Sequence, residues 1–149
     1  MSDPTSFPIA YYPALIPELV DDHRTLLGIY ENLHRAAETQ DTAGLKTALA
    51  SFRSLLIAHL LKEAVRLYIY LRQQFKHDAA VYARVTAYKR EMDGIGKVAM
   101  EFIDTHLKQP DDVIDFAQLR ASLHDLGRVL GDRVRREEAE LYPLYQPTH

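Results

Sequence analysis

The 149-residue sequence contains no cysteine. This absence excludes a disulfide framework, a thiolate metal site and a cysteine nucleophile, while it leaves the redox compartment undetermined. No stretch approaches 18 consecutive apolar residues, so we expect no membrane-spanning segment. The N-terminal residues also lack the basic start and uninterrupted apolar core of a signal peptide. These absences together predict a cytoplasmic protein with no membrane partner.

An excess of positive charge is missing as well. The formal net charge is −3 and the isoelectric point is near 6.1, so the chain offers no broad basic face for nucleic acid. Gly94 and Gly96 are too few and wrongly placed for a phosphate-binding loop. We therefore predict no nucleic-acid partner. Signals for β-strands are absent too, so we predict an all-helical fold.

Four amphipathic helical stretches are what the sequence does contain. Polar breaks near residues 38–42, 75–80 and 107–112 separate them, with Asp41, Asp78 and either Asp111 or Asp112 as expected N-caps. On each stretch, apolar residues recur at alternating spacings of three and four, which forms one seam along the helix. Four such helices with short connections predict an up-down-up-down antiparallel four-helix bundle.

The domain organisation follows from length and proline content. A chain of 149 residues suits a single domain. We predict an ordered N-terminal arm at residues 1–16, whose aromatic side chains pack on the bundle at residues 17–149. Pro17 is expected to open the first helix, where a missing N–H has no cost.

Polar residues interrupt the seams near one end of the predicted bundle. Antiparallel topology places the starts of the first and third helices beside the ends of the second and fourth. Long charged side chains are almost never fully buried unless they are paired, so this end must hold an ion pair, a metal or an open pocket. The polar residues concerned are His23, His59, Glu63, Arg66, Arg133 and Glu137, and Met92 lies at the same end.

The spacing of His59 and Glu63 is suited to metal binding. Residues four apart project from one helical face, where an imidazole nitrogen and a carboxylate oxygen can share one ion. Histidines and carboxylates meeting from facing helices are also how di-iron bundles are built. The pair alone is weak evidence, but its coincidence with His23 and Glu137 is much stronger.

Four segments carry a resemblance to a known family. They are DHRTLLGIYENL at 22–33, HLLKEAVRLY at 59–68, REMDGIGKVAMEFI at 90–103 and RVRREEAELYPLY at 133–145. Over nearly its whole length the chain resembles the hemerythrin-like (HHE cation-binding) domain. That resemblance implies a four-helix bundle holding a non-haem di-iron centre through histidines and bridging carboxylates, for O2 binding, sensing, iron handling or repair of iron centres.

Position by position, the resemblance makes His23, His59, Glu63 and Glu137 the retained metal ligands. Two departures stand out, because Met92 and Arg133 occupy positions where the family has histidine. Arginine cannot be deprotonated in practice and so cannot be a ligand. Our hypothesis is that ion pairs from Arg133 and Arg66 to the carboxylates replace the iron. No cofactor is then expected, and iron is the ion if one binds.

Two functions are consistent with these residues. The preferred prediction is a metal-free regulatory or protein-binding module with a degenerate di-iron site. The alternative is a divergent non-haem iron-binding protein that uses the retained ligands for O2 or NO sensing or for iron handling. No residue pair stands out as nucleophile and base, so we expect no enzyme activity.

The second helix is apolar around more than half its circumference, and one face cannot bury Val65, Tyr68, Ile69 and Leu71 together. Either the N-terminal arm covers the surplus, or these residues form a surface for a homodimer or another protein.

Overall fold

The computed structural model describes residues 9–147 of the chain. The first helix, α1, spans Leu15–Thr39. It begins two residues before Pro17, so the prediction that Pro17 opens the helix was wrong. Pro17 instead occupies the third position of the first turn, where backbone N–H groups still have no intrahelical partner.

The second bundle helix is interrupted by a wider turn. Helix α2 spans Thr42–Lys62, continues through a π-helical turn at Glu63–Tyr68, and resumes as α3 at Ile69–Gln74. The third bundle helix, α4, spans Ala79–Lys108. A short 3-10 turn at Asp111–Val113 follows.

The last bundle helix repeats the pattern of the second. Helix α5 spans Phe116–Arg136 and continues through a π-helical turn at Glu137–Leu141 into a 3-10 turn at Tyr142–Leu144. π-Helical turns inside α-helices are rare and occur frequently at functional sites. Each of these two turns begins at a glutamate that the sequence identified as a candidate ligand.

Aspartate side chains cap three of the helices. Asp41 and Asp78 accept hydrogen bonds from backbone N–H groups of α2 and α4, as predicted. The cap of α5 is Asp115, so the prediction of Asp111 or Asp112 was wrong. The 3-10 turn at Asp111–Val113 precedes α5, so this helix begins further along the chain than predicted.

The helices form an all-α four-helix bundle, as predicted, and residues 9–147 contain no strand. Consecutive bundle helices pack on one another, and α1 closes the bundle against α5. Within residues 9–147, no helix combines the length and the hydrophobicity that a membrane-spanning segment requires.

Two apolar clusters divide the interior along the bundle axis. One contains Leu26 of α1 and Leu56 of α2, and the other contains Leu19 of α1 and Leu67 of the first π-helical turn. His23 and His59 fall between these leucines in sequence and belong to neither cluster. The polar residues therefore form a buried layer between two apolar clusters, not an open end of the bundle.

The second cluster also includes the part of the N-terminal arm that the structure describes. Ile9, Tyr11 and Tyr12 pack against it, and the Tyr11 ring stacks on Tyr145 with centroids 4.7 Å apart. Residues 1–8 of the predicted arm lie outside the described residues.

The predicted interaction surface on the second helix is smaller than expected. Tyr68 and Leu71 are buried in the second cluster, so their assignment to that surface was wrong. Val65 and Ile69 remain 47% and 40% exposed. The interior and the arm thus cover part of the apolar surplus.

Candidate metal centre

Two buried histidines from adjacent helices are each held by a carboxylate at the outer ring nitrogen. Nδ1 of His59 lies 2.9 Å from Oδ2 of Asp22, and Nδ1 of His23 lies 2.7 Å from Oε2 of Glu138. Their ring centroids are 4.8 Å apart. A carboxylate at one ring nitrogen fixes the orientation of the imidazole and directs the other nitrogen inwards, as is usual for metal-binding histidines.

The inner nitrogens face two buried glutamates. Nε2 of His23 is 3.1 Å from Oε1 of Glu137, and Nε2 of His59 is 3.6 Å from Oε1 of Glu63. The hydroxyl of Tyr142 donates to Oε2 of Glu63 at 2.8 Å and lies 3.1 Å from Nε2 of His23. Imidazole nitrogens and carboxylate oxygens thus converge on one small volume.

Glu63 and Glu137 are only 1% and 2% exposed, and their pKa values shift in opposite directions. Burial, together with the charge of Glu137, raises the pKa of Glu63 well above its ordinary value. Burial alone would raise the pKa of Glu137 too, but contacts with His23, Glu63 and Arg133 lower it. The pair therefore favours one proton on Glu63 and a negative charge on Glu137.

Arg133 extends into this layer with a side chain only 1% exposed. Its Nη2 donates to the Tyr68 hydroxyl at 2.8 Å and lies 3.5 Å from Oε2 of Glu137, while its Nη1 donates to Oε1 of Glu91 at 3.1 Å. The guanidinium also lies 5.1 Å from the centre of the Tyr88 ring. Arg133 is therefore buried and paired with two carboxylates.

Arg66 does not belong to this layer, which corrects our prediction. It is exposed, and its guanidinium lies over the Tyr12 ring at 5.1 Å. The π-helical turn adds one residue per turn, so Leu67 faces the core at the position where a regular α-helix would place Arg66. The second arginine near the layer is Arg136, which pairs with Glu91.

Sequence reasoning missed the two tyrosines that contact the layer. Tyr68 and Tyr142 occupy the same place in two related segments, EAVRLY at 63–68 and EEAELY at 137–142. Each segment starts with a glutamate that could be a metal ligand, adopts a π-helical turn and ends at a tyrosine. The hydroxyl of that tyrosine contacts the polar layer. A comparison of the second helix with the fourth would have revealed this repeat. The sequence carried no such signal for three carboxylates that contact the layer. Asp22 contacts His59, Glu91 contacts Arg133, and Glu138 contacts His23.

Three side chains place their ligand atoms close enough together to share one cation. One ligand atom from each of His23, His59 and Glu137 lies within 4.8 Å of the others. Met92 is buried and lines a cavity beside them. A helical bundle with a buried histidine and glutamate layer defines a class of cation-binding bundles.

Comparison with known families agrees with this assignment. Residues 14–145 match the hemerythrin HHE cation-binding domain, and the chain belongs to that family. The resemblance seen in the sequence is thereby confirmed. No curated protein and no solved structure matches the chain.

Proposed function

We propose that this protein binds a single divalent iron ion through His23, His59, Glu63 and Glu137, and that Arg133 takes the place of a second ion. The observation that carries the proposal is a pair of buried atoms. Nε2 of His59 and Oε1 of Glu63 have no hydrogen-bond partner among the described residues. Leaving such groups unsatisfied costs about 1–3 kcal/mol each, and one cation between them would satisfy both.

The donor set and its surroundings support iron. Two imidazole nitrogens with carboxylate oxygens suit iron, zinc and other divalent transition metals. The carboxylates of Asp22 and Glu138 would orient the two histidines towards the ion. When bound, iron supplies a redox-active centre, and such a site serves sensing of O2 or NO, or iron handling. We assign no enzymatic reaction to it.

The charge of Arg133 supports one ion instead of two. The guanidinium keeps its proton at any accessible pH, and it already lies beside Glu137. A second cation bound to the same carboxylate would face this fixed positive charge at close range, where charges are poorly screened. Arg133 thus neutralises one carboxylate and leaves the remaining donors for a single ion.

A second candidate function is a metal-free regulatory or protein-binding module. The observation in its favour is that Arg133 pairs with Glu137 at 3.5 Å without a cation, while burial and the charge of Glu137 raise the pKa of Glu63 and so favour its neutral form. A binding surface is available on the second bundle helix. Its exposed apolar residues recur every four positions and are Ile57, Leu61, Val65 and Ile69.

Anaerobic loading with Fe(II), followed by elemental analysis and thermal denaturation, distinguishes the two functions. We expect one iron per chain and a higher melting temperature, since an ion at 100 times its dissociation constant stabilises by about 2.7 kcal/mol. His59→Ala should lose the iron, whereas His124→Ala, an exposed histidine on α5, should retain it. No bound iron would favour the metal-free module. Two irons per chain would overturn the assignment of Arg133.

A further inference from the structure

A buried tyrosine hydroxyl lies among the atoms assigned to the iron ion. Tyr142 is only 3% exposed, and its ring is nearly parallel to that of His23, with an interplanar angle of 12° and centroids 5.6 Å apart. The hydroxyl oxygen lies 3.1 Å from Nε2 of His23 and 2.8 Å from Oε2 of Glu63. It therefore contacts two of the four proposed ligands, one on α1 and one on the second bundle helix.

The distances between these atoms equal those between neighbouring ligands of one ion. Ligand atoms about 2.0–2.2 Å from an ion lie about 2.8–3.1 Å apart when they occupy adjacent corners of an octahedron. The Tyr142 hydroxyl has such a distance to both His23 and Glu63. Nε2 of His23 has one to Oε1 of Glu137, at 3.1 Å. An ion held by His23 and Glu63 can therefore accept the hydroxyl oxygen as a further ligand.

Charge balance favours an anionic oxygen at this position. Arg133 lies 3.5 Å from Glu137 and compensates its charge, so Glu63 is the one carboxylate left among the assigned ligands to balance the ion. A ferrous ion carries two positive charges and a ferric ion three, and buried charges are costly unless they are compensated. A phenolate at Tyr142 supplies a negative charge in place of the one that Arg133 cancels.

The equivalent tyrosine of the second bundle helix has a different partner. Tyr68 ends the related segment at 63–68, and its hydroxyl accepts a hydrogen bond from Nη2 of Arg133 at 2.8 Å. This guanidinium is permanently charged, so it disfavours a second cation on the same oxygen. The hydroxyl of Tyr142 contacts an imidazole and a carboxylate instead. The two tyrosines thus form a matched pair, of which one is suited to a metal ion.

We propose that Tyr142 is a fifth ligand of the iron ion and binds through its phenolate oxygen when the iron is ferric. This inference rests on the proposed function. On binding, the phenol O–H bond breaks, the oxygen forms a bond to the ion, and the proton leaves to solvent, with no electron transferred in that step. Because an anionic oxygen stabilises the higher charge more strongly, Tyr142 favours the ferric over the ferrous state.

The test is the visible and resonance Raman spectrum of the full chain after anaerobic loading with Fe(II), oxidation with ferricyanide and desalting. A phenolate bound to Fe(III) gives a charge-transfer band in the visible region, and excitation in that band enhances the tyrosine ring vibrations. We expect both signals from the unaltered chain. Iron-loaded protein without enhanced tyrosine vibrations would overturn the proposal, and this result needs no variant.

The two tyrosines provide the variant and its control. Tyr142→Phe should lose the band and raise the dissociation constant for iron at least about tenfold, while His23, His59 and the glutamates still hold the ion. Tyr68→Phe should retain the band, because that hydroxyl is bound to Arg133. Circular dichroism checks that both variants keep their helical content. A band that persists in Tyr142→Phe, or that disappears in Tyr68→Phe, would contradict the assignment.

The iron content separates this inference from the proposed function. One iron per chain without the tyrosine signals would overturn the role of Tyr142 alone. Two irons per chain with these signals would overturn the role of Arg133 in the proposed function and support Tyr142 as a ligand. Absence of iron from the unaltered chain would overturn both.

Discussion

The replacement Arg133→Met tests whether the buried arginine stabilises the fold. Methionine is unbranched and of similar length, so the change removes the charge and the hydrogen bonds while keeping most of the packing. Arg133 contacts Glu137, Glu91 and Tyr68. The three contacts do not contribute equally to stability.

The contact with Glu137 dominates the expected loss. Removing one partner of a fully buried pair costs about 3–5 kcal/mol, because the other charge is left uncompensated. The Tyr68 hydroxyl loses a bond of about 1 kcal/mol. Glu91 contributes little, since it is 41% exposed and keeps Arg136 as a partner. His23 still contacts Glu137, which offsets part of the penalty, so we expect a net loss of about 3 kcal/mol, at the low end of that range.

Urea denaturation in EDTA, followed by circular dichroism, measures this loss. Arg128→Met on the same helix is the control, because Arg128 is exposed and lies 4.0 Å from its partner Asp125; its effect should stay within about 0.5 kcal/mol. Glu137→Gln should cost less in the Arg133→Met background than in the unaltered chain, since the two residues interact. A change below about 0.5 kcal/mol for Arg133→Met would show that the buried ion pair does not stabilise the fold.

Three further outcomes are expected. Gly127→Ala should destabilise by about 1–3 kcal/mol in thermal denaturation, because the methyl overlaps Tyr30, whereas Gly28→Ala should stabilise by up to about 1 kcal/mol; a stabilised Gly127→Ala would contradict the close contact. Hydrogen bonds from its arginine partners lower the pKa of Glu91, so its ionised form stabilises the fold above about pH 4 and this stabilisation is lost as the pH falls through the lowered pKa. The stability advantage over Glu91→Gln should therefore shrink between pH 6 and pH 3 in urea titrations, and a constant difference would contradict it. Asp115→Ala should cost about 1 kcal/mol in urea denaturation through loss of the α5 cap, and no change would show that the cap contributes little.

The fold could be predicted because the residues that sequence spacing places on one helical face are also the residues that pack in the interior. Spacing alone predicts one seam on the first helix, formed by Leu19, His23, Leu26, Tyr30, Leu33 and Ala37. Five of these six side chains are buried and Tyr30 is half-buried. Side chains three and four apart share a helical face in any α-helix. The same rule placed His59 and Glu63 on one face.

The pattern failed where the helix itself departs from α-geometry. A regular period places Arg66 near Glu63, but the π-helical turn that begins at Glu63 moves Arg66 to the surface and buries Leu67 and Tyr68. Sequence periodicity contains no signal for such a turn, because it reflects the average helix and not a local change in hydrogen bonding.

Local periodicity and side-chain chemistry are enough to predict the helical class, the four seams and the polar residues that enter the interior. The partners of those residues depend on how the helices pack. Glu91 lies at a half-exposed position and yet reaches Arg133, while Asp22 and Glu138 orient the two histidines from outside the layer. Long flexible side chains from different helices meet only after packing fixes the rotation and height of each helix, and residue spacing within one helix does not determine either quantity.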